Sequence, residues 1–267
     1  MRIDHKDSFK DFGNQFVVDS KLDGYWGSKK NLKEMVGPFN LKKIKNKICM
    51  DVGSGSGRIL KNLILFNPKK IYSIEPSKAI WVAKKNLSHF VKKKNLIKYL
   101  NIKGEDITLK DKIDYCFSLG VIHHTPNANK VCKKIYKSLK KNGMFICWLY
   151  GYEGNEIYIF IFNNLRRITI LLPDFVLRII SFLLNLTTYV YQFLCEFINL
   201  PLKDYFKNHF KKLSFEKRSY VIFDQLNPSY AKYYKKEECL KLFKSSGFKK
   251  ISIFSRDNYS WVVIGKK

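Results

Sequence analysis

The sequence predicts an α/β fold built on a doubly wound, mostly parallel sheet. Three observations carry that prediction. Short apolar runs alternate with helical stripes through residues 47–149, the pattern of a parallel sheet with crossover helices. The first run, Ile48-Cys49-Met50, leads into a glycine-rich turn, Asp51-Val52-Gly53-Ser54-Gly55-Ser56-Gly57, and then a helical pattern at Ile59-Leu60 and Leu63-Ile64. The second run, Ile71-Tyr72-Ser73-Ile74, ends in a carboxylate, Glu75, roughly twenty residues past the glycines, where such a sheet puts a ribose-binding acid. A strand, a glycine turn and a helix bring the backbone close to a nucleotide-like ligand, because glycine turns sharply and leaves no Cβ in the way.

Each element has a second reading. A dinucleotide fingerprint has glycines at its first, third and sixth positions. Counting from Gly53, the sixth is Arg58, and Gly57 comes one residue early. Glycine turns also close ordinary βα units. Glu75, ahead of Pro76-Ser77, also reads as a helix-start acid. A third apolar run, residues 97–102, precedes Gly104-Glu105-Asp106-Ile107, where Asp106 suits a ligand contact or a turn cap equally. A fourth segment runs from Asp114 to Pro126 and contains Leu119 and the pair His123-His124. The stripe Val131, Ile135, Leu139 follows, and Lys141-Asn142-Gly143 turns into a fifth strand through Leu149. Near the end, a helix from Lys236 to Ser245 stops at Gly247 and precedes two strands, 249–254 and 259–265.

The glycine pattern, D-x-G-x-G-x-G, and the three ordered segments after it resemble class I S-adenosylmethionine (SAM)-dependent methyltransferases of the small-molecule and glycan type. The likeness is dense over Cys49–Leu149. It implies a seven-stranded Rossmann-like sheet, with the last strand inserted antiparallel, and SAM as cofactor. The cofactor residues it implies are Asp51, Gly53, Ser54, Gly55, Gly57, Glu75, Pro76, Asp106, Ile107 and Leu119. Glu75 would take the ribose hydroxyls, Asp106 the adenine amino group and Ile107 the ring face. The strand followed by Val121-Ile122-His123-His124 is similar to the "VLHH" of such enzymes. Phe12-Gly13-Asn14-Gln15-Phe16 resembles "FGxQW", and Phe223-Asp224 through Ser229-Tyr230 resembles "FDxxSPxY"; Tyr234 stands where that group usually has His. Asp224, Tyr230 and Tyr234 are therefore candidate acceptor contacts, with a turn and a packed aromatic as the plain alternative.

The expected organisation is an N-terminal helical segment (1–46), a cofactor core (47–150), a helical insertion or lid (151–235) and a closing helix and hairpin (236–267). Residues 175–198 hold almost no charge. Within them Arg178, Ser181, Asn185, Thr188, Gln192 and Glu196 recur every three or four residues as a narrow polar stripe. Ile179, Phe182, Leu186, Val190, Phe193 and Phe197 belong to the apolar remainder. This is an amphipathic helix, not a bilayer span. A lid over the acceptor is the first reading; a homodimer interface and a peripheral membrane contact are the others.

The formal net charge is +28. Lysine outnumbers arginine about six to one and is spread along the chain, so composition argues here against a nucleic-acid partner. The six cysteines show no metal spacing, which suits a reducing cytosol, and Met1–Asp11 is polar rather than a leader. The expected activity is methyl transfer to a small-molecule, glycan or lipid-intermediate acceptor. RNA methylation, supported by charge alone, and an inactive scaffold at a membrane surface are the alternatives. His123, His124 and Tyr150 are the candidate catalytic side chains, placed at the carboxyl edge of the sheet near a methyl that needs alignment and a base.

Overall fold

A computed structural model describes residues 12–13, 15–17, 22, 27–91, 93 and 95–267. The expectation for the leader lies outside the described residues, as does Asn14. Seven strands form one sheet: β1 (Ile48–Val52), β2 (Lys70–Ile74), β3 (Ile97–Leu100), β4 (Ile113–Leu119), β5 (Leu139–Tyr150), β6 (Lys250–Arg256) and β7 (Ser260–Lys266). Their spatial order is β3-β2-β1-β4-β5-β7-β6. The first five run parallel, and β7 enters antiparallel between β5 and β6. The fold is the Rossmann-like arrangement that the motif order implies. The order reverses between β1 and β4, and ligands of such sheets bind beyond the carboxyl ends of the strands flanking that point.

Helices α1 (Lys29–Val36) and α2 (Arg58–Ile64) cover one face of the sheet, burying Leu32, Leu60 and Leu63 against Phe117. Helices α4 (Ala128–Ser138) and α9 (Lys236–Ser245) cover the other, where Phe243 stacks on Phe145 at 5.1 Å. Helix α3 (Ala79–Leu87) follows β2. Asp114 holds the switch point together from below: its Oδ2 accepts the Ile48 N–H at 2.8 Å and its Oδ1 accepts Lys140 at 2.9 Å.

Between β5 and α9 lie α5 (Glu156–Thr169), α6 (Asp174–Phe197), α7 (Lys203–Asn208) and α8 (Phe215–Leu226). They share a small core of their own around Leu177, Phe210 and Phe223. The inserted segment leaves and returns at one place, because Gly151 and Tyr234 form a parallel bridge. Tyr234 N donates to Tyr150 O at 2.9 Å, and Tyr234 O accepts from Tyr152 N and Trp261 Nε1 at 3.0 Å each.

Helix α6 has the expected periodicity with the opposite orientation. Ser181, Asn185 and Thr188 are buried, while Phe175, Ile179, Phe182, Val190, Phe193 and Phe197 face outward. The small polar stripe lets α6 approach α8 closely. Asn185 Nδ2 donates across the junction to Phe215 O and Ser219 Oγ at 2.8 Å each. Helix α5 is tied to the end of α8 instead: Arg166 Nε donates to Gln225 O at 2.9 Å and Thr169 Oγ1 to Leu226 O at 2.8 Å, satisfying carbonyls that a helix terminus leaves open. Asn185→Ala should therefore destabilise the protein by about 1–3 kcal/mol, because it removes two hydrogen bonds that tie α6 to α8. Urea unfolding checks this, and a change within error would mean that the stripe is only tolerated.

Candidate functional site

The glycine turn sits between β1 and α2 and is pinned to β2: Gly53 N and Ser54 N both donate to Ile74 O, at 2.8 and 3.2 Å. Gly53 has φ +83°, and a Cβ there would fall 2.3 Å from the Val121 side chain. Gly55, at φ +50°, turns its N–H toward Glu75, whose Oε2 accepts it at 2.9 Å. Glu75 Oε1 accepts Ser77 N at 3.0 Å. The acid thus links two loops by its charge while keeping lone pairs for further donors. Asp51 lies beneath, 1% exposed; burial raises its carboxyl pKa to about 7, the Ser54 hydrogen bond opposing and Glu75 adding.

A cavity of about 840 Å³ opens above this turn, within the usual range for ligand pockets. Gly53, Ser54, Gly55, Glu75, Pro76 and Leu119 line its floor. His124, Trp148 and Tyr150 form the middle, and the inserted helices form the roof through Tyr158, Leu184, Thr188, Tyr191, Asp224 and Gln225. The N-terminal turn closes one side. Phe12 packs on His124 at 4.5 Å, and Gln15 donates to Asp224, so the two segments that resemble "FGxQW" and "FDxxSPxY" meet here.

Several candidates lie elsewhere. His123 is fully buried behind the wall, stacked on Tyr150 at 3.8 Å, and its ring nitrogens make no hydrogen bond among the described residues. Asp106 is exposed and Ile107 is buried in the core; the cavity wall takes Gly104 and Glu105 from that turn. Asp51 and Gly57 support the glycine turn from outside the wall. Tyr230 contributes its carbonyl, which binds His124 Nδ1 at 2.9 Å. Tyr234 is a core residue whose backbone closes the insertion, and its neighbour Tyr233 lines the cavity. In an extended segment successive side chains point to opposite sides, so a one-residue misassignment exchanges wall for core.

The polar groups of the roof form one cluster that the sequence motifs do not mark. Gln225 Oε1 accepts from Tyr158 OH at 2.7 Å and Tyr233 OH at 3.3 Å, and its Nε2 donates to Tyr150 OH at 3.3 Å. Arg166, 7% exposed, donates to Tyr233 OH at 3.3 Å. Gln225 stands next to Asp224 in sequence, and that adjacency was the one available signal. Tyr158 lies on a helix with no motif at all.

Burial holds His124 down at a pKa of about 4, the Tyr230 carbonyl opposing and Arg166 adding to it. Burial, then His124, holds His123 well below its usual 6.5. Because Tyr230 O is an acceptor, the neutral His124 carries its proton on Nδ1 and leaves an Nε2 lone pair. Burial raises the Tyr150 phenol well above its usual range, so it stays protonated. The oxygen of Tyr150 accepts from Gln225, which leaves its own proton for a group in the cavity.

Residues 50–147 match the methyltransferase domain family. Solved SAM-dependent methyltransferases share the fold. One from Thermotoga maritima has a TM-score of 0.52 at 16% identity, covering 96% of this chain and 98% of its own. Magnesium protoporphyrin IX methyltransferase from Synechocystis, with bound SAM, has a TM-score of 0.54 at 13% identity, covering 98% and 97%. Among curated proteins, tRNA U34 carboxymethyltransferase of Sulfurovum is 26% identical over 138 residues, 52% of this chain and 44% of its own length. That of Campylobacter fetus is 31% identical over 120 residues, 42% and 40%. The chain spans a little under half the length of these relatives. They overturn the expectation of a small-molecule, glycan or lipid acceptor, and with it the exclusion of nucleic acid. Lysine abundance without arginine clusters was a poor reason to exclude RNA, since phosphate contacts need only charge.

The glycine turn and Glu75 fit a SAM nucleoside on this structure's own terms: Gly53 and Gly55 line the cavity floor with no side chain to occupy it, and the carboxylate keeps free lone pairs there. Glu75→Ala should weaken SAM binding by about tenfold or more, measured by calorimetry. A second outcome follows from the buried imidazoles. Below about pH 6.5 the unfolded chain takes up protons that folded His123 and His124 do not, so their contribution to stability falls from pH 6.5 toward 4. Asp51 acts oppositely between about pH 7 and 4, because it keeps its proton in the folded state. His123→Phe preserves the stack and removes one imidazole, so it should shrink the drop in Tm between neutral pH and about pH 5, as read by thermal melts. An unchanged drop would show that His123 is protonated when folded.

Proposed function

We propose that this chain, a class I SAM-dependent methyltransferase, methylates a nucleoside of RNA, with tRNA the favoured substrate. The curated relatives carry this reading: their names specify carboxymethyl transfer to tRNA, and the methyltransferase family model lies over residues 50–147. The net charge of +28 supports it, because a chain with 50 lysines and arginines attracts a polyanion without needing sequence contacts. The cavity supports it as well. A base extruded from a tRNA loop could stack among the aromatic side chains of the roof and meet the hydrogen-bonding edge of Gln225 and Tyr150.

Bound SAM supplies a methyl group activated on a sulfonium. Glu75 and the Gly53–Ser56 turn hold the nucleoside end at the floor, and alignment is the main contribution in such a transfer. The acceptor atom must shed a proton as its bond to carbon forms. His124 Nε2 can take it, although a base near pKa 4 is weak at neutral pH and contributes little beyond position. Tyr150 remains a donor throughout and fixes the acceptor by hydrogen bonding. A cytoplasmic setting, expected from six unpaired cysteines, agrees with an RNA substrate.

Incubation with methyl-labelled SAM and unmodified tRNA tests the reading. Label should enter tRNA, fall with Glu75→Ala at limiting SAM, and weaken steeply with added salt. A folded protein that binds SAM and labels no RNA would overturn it. His124→Ala should lower turnover by no more than about tenfold while leaving SAM affinity within about twofold; unchanged turnover would leave His124 as a wall residue only.

A further inference from the structure

Helix α6 presents its apolar face to the outside. Phe175, Phe182, Leu186, Val190, Phe193 and Phe197 are between 47% and 72% exposed, and all lie opposite the buried stripe Ser181, Asn185, Thr188. A half-exposed side chain of this size presents on the order of 100 Å², so the ten or so on this face present about 1,000 Å². The largest patch on an ordinary monomer is about 300–600 Å². One side of a standard stable interface is about 800 Å².

We propose that this face is the seam of a two-fold homodimer in which α6 packs antiparallel on α6 of a second copy. Area alone does not name the occupant; the charges at the edge of the face do. Between residues 174 and 197 the charged side chains are Asp174, Arg178 and Glu196. Arg178 and Glu196 are eighteen residues apart, five full turns, so they stand on the same edge of the helix. Their midpoint is Thr187, beside Leu186. A two-fold axis there sets Arg178 of each copy opposite Glu196 of the other, twice over. Glu196 is 63% exposed, with Lys211 at 3.9 Å, and the Arg178 guanidinium lies 4.9 Å over the Phe223 ring. Antiparallel packing also opposes the helix dipoles.

A bilayer fits this helix less well. By length and composition α6 could cross a membrane, and 17% of its apolar window is buried. Asn185 nevertheless bonds into α8, which holds the helix on the body of the protein. A helix lying in a lipid surface carries lysines and arginines beside its apolar face; this one carries a single cation, Arg178. The dimer also has a consequence for the site, because Leu184, Thr188 and Tyr191 on the inner side of α6 line the cavity roof. The seam would hold that roof in place.

Sedimentation equilibrium of the full chain tests the proposal, with SAM binding as the control for folding. The wild type should be a dimer. Leu186→Glu should weaken it by at least about thirtyfold. Arg178→Glu and Glu196→Arg should each weaken it by about tenfold, and the double variant should recover most of the loss. A monomeric wild type would overturn the proposal. So would a dimer indifferent to both Leu186→Glu and the charge reversals. A monomer that co-sediments with phosphatidylglycerol vesicles, and loses this with Leu186→Glu, would overturn it in favour of a lipid surface.

Discussion

The site depends on one carboxylate. Glu75 ends β2 and accepts a backbone N–H from the glycine turn and another from the start of the next helix. Charge-assisted bonds of this kind are roughly twice as strong as neutral ones. They fix the distance between two loops that belong to neighbouring strands. The positive φ angles at Gly53 and Gly55 are needed to bring the turn to that acid. Once the floor is set, the rest of the cavity can be assembled from elements far away in sequence.

The floor was legible in the sequence because backbone chemistry dictates it. A turn that must adopt positive φ beside Val121 requires glycine, and the acid must follow a strand of fixed length. The sheet order was legible for the same reason. The acceptor side was not, since its residues are chosen by packing. Glu105 lines the cavity where Asp106 was expected, and Tyr233 where Tyr234 was expected; a motif match fixes a segment but not which of two neighbouring side chains faces inward. Periodicity gave α6 its two faces and could not say which one would be buried. The usual assumption, apolar inward, is reversed there because Asn185 finds partners on α8 and the small stripe packs closely. Charge was read against RNA from its lysine bias, and the curated relatives correct that inference.

The roof combines an apolar shell with a compact polar group. Gln225 sits at its centre and orients three tyrosine hydroxyls, while Arg166 braces the group from behind through the Gln225 carbonyl and Tyr233. In such a shell every unpaired polar atom is costly, so the cluster has a narrow range of arrangements. That rigidity suits recognition of a planar partner with fixed donors and acceptors, and it explains why Tyr150 can present its proton without ionising.

The bridge between Gly151 and Tyr234 makes the inserted helices a cassette. The chain departs from the sheet and rejoins it at adjacent backbone positions, so the framework does not register how many residues lie between. Exchange of the segment for another of different length would leave strand pairing, the glycine turn and Glu75 untouched. Segments whose ends meet this closely are the ones that tolerate replacement. One cofactor-binding framework could in this way have been fitted to different acceptors, and a chimera joined at Gly151 and Tyr234 is the natural unit for moving acceptor preference between such enzymes.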